Sequence, residues 1–347
     1  MKANVIMDGN DTITAEGTTA LPLEDSYRRR IDYLRLSITD RCNLRCTYCM
    51  PSDGVSSLSH DEVLRYEEIL RLVTVMTKLG ISKIRLTGGE PLVRKGIISL
   101  CERIVAVPGV RHLSLTTNGV LLAQYAADLR RAGVRRVNVS LDTLRRDRFF
   151  AITRRDAWDD VWRGILAARE AGLAPVKLNS VIMQGVNDDE IEDLARLTFR
   201  YPFHVRFIEL MPLTSGESME KFVSADAILE RLHRIAPLYP VTDENGFGPA
   251  THYRFTGAPG LIGIISPISR HFCPACNRLR LTADGQLRTC LFASEETNLK
   301  GLLRNGAGDD DVASAILAAI ACKPQRHALD SQLFRKCINR PMVAIGG

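Results

Sequence analysis

Six of the nine cysteines in this 347-residue chain fall into two tight groups. Cys42, Cys46 and Cys49 form C-x3-C-x2-C, and Cys273, Cys276 and Cys290 form C-x2-C-x13-C. Three thiolates on one short loop can hold three irons of a cubane [4Fe–4S] cluster and leave the fourth iron open to an outside ligand. A structural zinc would want a fourth protein ligand. The first loop contains no His, further Cys or carboxylate, and Asp40 and Asp53 fall outside it. The second group leaves zinc open, because His271 stands two residues before Cys273 and the spacing permits a tetrahedral site. Cys101, Cys322 and Cys337 are isolated and read as small buried hydrophobes or bystanders.

A second set of chemically useful residues alternates with aliphatic ones in short segments. Alternate residues of a strand share a face. One set is Leu34, Leu36, Ile38, Ile84, Leu86, Leu113, Leu115, Val137, Val139, Val176 and Leu178. The other is Arg35, Ser37, Lys83, Arg85, Thr87, Ser114, Thr116, Asn138, Ser140, Lys177 and Asn179. An ordinary eight-stranded barrel fills its interior with Val, Ile and Leu. If the aliphatic face packs on outer helices, the polar face lines an open lumen suited to a charged ligand; a sheet with one solvated face is the alternative. Arginine forks grip phosphate oxygens bidentately and lysine adds a mobile charge. No G-x-x-x-x-G-K-[ST] loop offers backbone donors instead, and Gly246-Phe247-Gly248 lacks a strand–turn–helix setting.

The elements that must position these residues alternate. Strands are expected over 33–38, 81–87, 111–116, 134–140, 174–182 and 203–210, with amphipathic helices between them. The clearest helix is expected over 60–79, with a Ser59/Glu62 capping box, a Leu58/Val63 staple and Gly80 as its stop. Another is expected over 158–171, before Gly172. Strands alternating with helices imply a parallel sheet, open or closed. Beyond 215 the alternation fades: a helix is expected over 224–236, short strands within 251–266, a hairpin 279–282/286–289 around Asp284-Gly285, and a helix over about 310–321. The division expected is a flexible tail over 1–26, a core over 27–215 and a C-terminal segment over 216–347.

Composition narrows the setting. The chain is 45% apolar and 25% charged, the balance of a folded globular protein. No apolar run reaches the length of a membrane span, and the polar, acidic first residues lack a secretory h-region. A cytoplasmic setting is expected, in which nine cysteines do not form a disulfide framework. Net charge is +6, with −4 in residues 1–26 and hence +10 elsewhere, which suits an anionic partner. Aromatics are only 6%, and no basic stretch is interleaved with stacking residues, which weighs against a zinc-stabilised nucleic-acid-binding module.

Cys42-Asn43-Leu44-Arg45-Cys46-Thr47-Tyr48-Cys49 resembles the signature of radical S-adenosylmethionine (SAM) enzymes, and Thr87-Gly88-Gly89-Glu90-Pro91 resembles their SAM amino-group loop. His271 to Arg280, with Cys290 and the ending Arg340 to Gly347, resembles the GTP 3′,8-cyclase family of molybdenum-cofactor biosynthesis, over nearly all of residues 27–347. The resemblance implies an α/β fold, a partial (β/α)6 TIM-like barrel with a C-terminal extension that carries a second cluster and closes the mouth. It implies two [4Fe–4S] clusters, one chelating SAM to yield a 5′-deoxyadenosyl radical, the other binding the guanine of GTP. It implies GTP contacts at Arg35, Arg85, Thr116, Lys177, Arg278, Leu279 and Arg280, and SAM contacts at Tyr48, Gly89, Ser140 and Met211. Gly346-Gly347 would reach into the active site. The partners implied are a downstream cyclic pyranopterin monophosphate synthase, a reductant protein and a second copy in a homodimer, with neither nucleic acid nor membrane. Another radical SAM enzyme with an auxiliary cluster, such as a peptide maturase, is the alternative; Asn277-Arg278-Leu279-Arg280 argues against it.

Overall fold

The structure is a computed structural model that describes residues 22–51, 53–211, 219–242, 248–327 and 340–346. Cys337, Gly347 and Gly246-Phe247 lie outside the described residues. The first six strands are β1 (Tyr33–Ser37), β2 (Lys83–Thr87), β3 (His112–Thr117), β4 (Arg136–Ser140), β5 (Lys177–Ile182) and β6 (His204–Glu209). Each pairs in parallel with the next. Between them run α1 (Tyr66–Lys78), α2 (Ile97–Val105), α3 (Leu122–Arg131), α4 (Arg146–Thr153), α5 (Trp158–Glu170) and α6 (Ile191–Arg200), and α7 (Ala225–His233) follows β6. This is the expected (β/α)6 unit.

The strand faces divide as the alternation requires. The aliphatic set from Leu34 to Leu178 is buried in the main core, under the helices. Helix α1 contributes Ile69, Leu72, Val73 and Met76, none measurably exposed, and each such side chain stabilises the fold by roughly 1.5–3 kcal/mol. The expected start of α1 at residue 60 is corrected. Ser59 and Glu62 do meet, the Ser59 amide donating to the Glu62 carboxylate at 2.8 Å, but they form a turn. Leu64 then donates its amide to the Ala283 carbonyl at 2.8 Å, so the chain must leave the C-terminal segment before it can coil. The helix begins after Arg65, whose amide donates to Glu68 at 2.7 Å.

The C-terminal segment does more than cover a mouth. It adds β7 (Leu238–Val241), β8 (Ala250–Phe255), β9 (Leu261–Ile265), β10 (Arg278–Leu281), β11 (Gln286–Arg288) and β12 (Thr297–Asn298), with α8 (Leu299–Arg304) and α9 (Asp309–Ala321). Strand β9 pairs in parallel with β6, and β10 in parallel with β1, so this segment extends both edges of the sheet. The sheet order is β12-β11-β10-β1-β2-β3-β4-β5-β6-β9-β8-β7. No pairing joins its two ends among the described residues, so the barrel is open.

Residues 22–26, assigned to a tail, are packed instead. Leu23 and Asp25 are buried, and Ser26 donates to the Ala321 carbonyl at 2.7 Å. At the other end, Arg340 pairs with Asp284 at 2.6 Å and with Glu296 at 3.1 Å, bringing residues 340–346 across the sheet. Gly346 has φ +81°, and a Cβ there would meet Ser37 at 2.8 Å and Thr87 at 2.9 Å. Only a residue without a side chain fits that approach to the ends of β1 and β2. No helix among the described residues is long and apolar enough to cross a membrane.

Candidate active site

One cavity of about 380 Å³ runs through the lumen, and all six clustered cysteines line it. The two groups occupy opposite ends. The first loop follows β1, so Cys42, Cys46 and Cys49 sit where the parallel strands end. Cys273 and Cys276 precede β10, and Cys290 follows the antiparallel β11, so this group sits where the parallel strands begin.

The first loop is held by backbone. Gly89 donates its amide to the Thr39 carbonyl at 2.7 Å, and Glu90 to that of Arg41 at 2.8 Å. A Cβ at Gly89 would stand 2.4 Å from the Arg41 carbonyl oxygen. The glycine's first use is therefore this close packing against the cysteine loop. The Glu90 carboxylate, fully buried, accepts from Leu92, Thr117 and Asn118 at 3.0, 2.8 and 2.6 Å, locking the end of β2 to the end of β3. Burial pushes Glu90 up to about 7 against those three donors. Asn118 also stands 3.7 Å from the Cys42 sulfur. Burial, then the neighbouring Cys49, Asp142 and Cys42, pushes the Cys46 thiol well up. Tyr48 donates its hydroxyl to Asp142 at 2.6 Å, just past β4. Burial raises Asp142 to about 6. Gly89, Ser140 and Met211 line the cavity at the ends of β2, β4 and β6, on the same side as Tyr48.

Between the two cysteine groups lies a row of cations. The pairing register sets Arg280 beside Arg35, Arg35 beside Arg85, Arg85 beside Ser114 and Ser114 beside Arg136. Neighbouring strands lie about 4.8 Å apart, so like charges face one another. Burial, then Arg280 and Arg85, holds the Arg35 guanidinium well below its usual range. Burial, then Arg278, brings Arg280 down to about 10. Arg85 reaches Ser114 at 3.3 Å and lies over the Tyr33 ring at 5.4 Å. Lys177 is buried on β5, and Arg278 lies over the Phe272 ring at 4.7 Å.

Every site residue expected from the sequence lines the cavity except Leu279. Its side chain is fully buried in the aliphatic core, beside Leu34 in the register, because it occupies the outward phase of β10 between Arg278 and Arg280. Only its main chain can serve a ligand. Cys101 is buried, as expected of an isolated thiol, and burial pushes it up to about 12. Cys322 is exposed, because it lies just past the end of α9.

Sequence reading missed several lining residues. Arg136 and Arg206 occupy the inward phase of β4 and β6, so extending the alternation by one step finds them. Asp142 and Asn118, and Lys323 behind the lining, carry no local signal. Lys323, buried beside Cys276, acts on the second group. Burial works to raise the Cys276 thiol, but Arg278 and Lys323 outweigh it and bring it to about 7.

The residues present fit iron–sulfur clusters and an anionic ligand. All six thiols are free of disulfides. Three free thiols in each group can ligate three irons of a cubane and leave the fourth open. Thr87 Oγ1, Thr116 Oγ1, Asn138 Oδ1, Asn179 Oδ1 and Arg280 Nη1 are buried on the lumen without a hydrogen-bond partner among the described residues. Buried polar atoms require partners, and a nucleotide's oxygens and amines offer them.

Comparison with known proteins agrees. Residues 36–198 match the radical SAM superfamily, and residues 203–329 match the Molybdenum Cofactor Synthesis C family. The GTP 3′,8-cyclase of Moorella thermoacetica is 50% identical over 94% of this chain and 100% of its own length. That of Streptomyces coelicolor is 48% identical over 94% of this chain and 96% of its own. The crystal structure of Streptococcus suis SuiB bound to S-adenosylmethionine shares the fold, with a TM-score of 0.59 at 15% identity over 94% of this chain and 77% of that one. The cysteine loop, the cationic lumen and these likenesses converge: the chain belongs to the GTP 3′,8-cyclase family of radical SAM enzymes.

Proposed function

We propose that the lumen holds GTP between the two cysteine groups, its triphosphate on the buried cations and its guanine beside Cys273, Cys276 and Cys290. The family's reaction converts GTP to (8S)-3′,8-cyclo-7,8-dihydroguanosine 5′-triphosphate, the first step of molybdenum cofactor biosynthesis. One observation carries the reading of the substrate site. Arg280, Arg35 and Arg85 stand side by side in the strand register and line the lumen, like charge beside like charge. Such a row is costly alone and is stabilised by a polyanion.

Cys42, Cys46 and Cys49 hold the [4Fe–4S] cluster of the superfamily, and in this reading Tyr48, Gly89, Ser140 and Met211 hold SAM beside it. When bound, SAM and that cluster supply the hydrogen-abstracting radical chemistry of these enzymes. The chain's own contribution is placement. Asp142 fixes the Tyr48 ring through its hydroxyl, and Glu90 fixes the loop that carries Gly89. Arg35, Arg85, Arg206 and Lys177 take phosphate oxygens, and the Thr116 hydroxyl gains the partner it otherwise lacks. Arg278, Arg280 and the Leu279 main chain border the guanine end. Holding both ends of the nucleotide presents the ribose to the first loop and excludes water from a reactive centre.

In this reading the second group holds a second [4Fe–4S] cluster, which distinguishes it from a zinc site. A cytoplasmic setting, a reductant protein, a homodimer and a downstream cyclic pyranopterin monophosphate synthase belong to the same proposal. The test is Cys276→Ala, assayed anaerobically. SAM cleavage should persist in part while cyclisation is lost; equal loss of both would contradict separate roles for the two groups.

A further inference from the structure

The second cysteine group is gripped by two buried cations from opposite ends of the chain. Lys323, two residues past α9, is only 3% exposed. Its ammonium donates to the Arg278 carbonyl at 3.0 Å and to the Thr289 carbonyl, and stands 3.7 Å from the Cys276 sulfur. Those acceptors lie on two separate segments, one leading from Cys276 into β10 and the other leading into Cys290. Arg29 completes the grip, donating to the Cys273 carbonyl at 2.9 Å, to the Gln325 carbonyl at 2.9 Å and to the Pro324 carbonyl at 2.7 Å. Arg29 is neutralised by Asp25 at 2.6 Å. Lys323 differs: its ammonium meets two carbonyls and the Cys276 sulfur, and no carboxylate pairs with it among the described residues.

We propose that Lys323 is a positioning residue for the second cluster: it ties the segment bearing Cys276 to the segment bearing Cys290, and its charge favours the reduced form of the cluster they hold. The inference rests on the reading that Cys273, Cys276 and Cys290 ligate a [4Fe–4S] cluster. Reduction adds one electron to a cluster already made anionic by three thiolates. A buried ammonium beside one of those sulfurs stabilises the more negative form more strongly. Without it the cluster is harder to reduce, while the cluster at the other end of the lumen is untouched.

The test is a redox titration followed by electron paramagnetic resonance on anaerobically reconstituted full-length protein: wild type, Lys323→Met and Lys323→Arg. The two centres are told apart by their responses, one to SAM and the other to GTP. In Lys323→Met the reduced-to-oxidised ratio of the GTP-responsive centre, at a fixed solution potential, should fall about tenfold or more, equivalent to at least ~59 mV for one electron. The SAM-responsive centre should keep its ratio, and Lys323→Arg should restore most of the loss. An unchanged ratio in a fully loaded Lys323→Met protein overturns the inference. If Lys323→Met loses the GTP-responsive centre, Lys323→Arg decides: normal loading and ratio support the role of the charge, and loss there too reduces Lys323 to a structural strap and overturns it. A wild-type protein with no GTP-responsive centre fails earlier and removes the cluster reading itself.

Discussion

At the residue scale the account turns on which side chains share a face. Arg35, Arg85, Thr116 and Lys177 were legible because each alternates with a buried aliphatic residue, and strand geometry turns that alternation into a lumen. The same rule, applied to β10, places Arg278 and Arg280 inward and Leu279 outward. Asp142, Asn118 and Lys323 were illegible because their importance lies in contacts made across long stretches of chain, such as Tyr48 to Asp142. Two predictions belong here. Arg85→Ala should weaken GTP binding about tenfold or more while changing guanosine binding little, measured by equilibrium titration; an unchanged GTP-to-guanosine affinity ratio would remove Arg85 from the phosphate site. Cys42→Ala should abolish reductive SAM cleavage, read as release of 5′-deoxyadenosine, since two thiolates remain where three are needed.

At the element scale, strands and helices fell close to their expected places because the apolar periods are strong: β1 to β6 each lie within their expected spans or a residue beyond. The start of α1 was misread for a physical reason. A Ser–x–x–Glu turn satisfies the same donor wherever it occurs, and here Leu64 is tied to Ala283 before the helix can begin. The glycine pair after β2 resembles a loop that binds SAM, yet its immediate neighbours are the carbonyls of Thr39, against Gly88, and Arg41, against Gly89. Gly89→Ala should therefore push the cysteine loop away. The expected outcome is loss of iron bound at the first site, by iron analysis after reconstitution, with the second site still loaded. For the helical layer, Leu72→Ala should lower unfolding free energy by ~2–5 kcal/mol in a denaturant titration, as a fully buried Leu in a closed core.

At the scale of the whole molecule, the parallel unit was legible and the path of the C-terminal segment was not. Local patterns announce that β10 and β11 form a hairpin, with Asp284-Gly285 at the turn. They do not announce that β10 pairs with β1, a partner some 240 residues earlier, or that β9 takes the opposite edge beside β6. That pairing carries functional weight. It brings Arg280 into line with Arg35 and Arg85, and it sets the two cysteine groups at opposite ends of one lumen. In the proposed function the arrangement suits a substrate long enough to meet both ends and anionic enough to offset the cations between them. The most direct measurement is anaerobic incubation of the reconstituted protein with SAM, a reductant and GTP, followed by mass and NMR analysis of the nucleotide. The account predicts 5′-deoxyadenosine together with a product isomeric with GTP that carries a new bond between C3′ and C8. Release of 5′-deoxyadenosine with GTP recovered unchanged, in protein carrying both clusters, would contradict it.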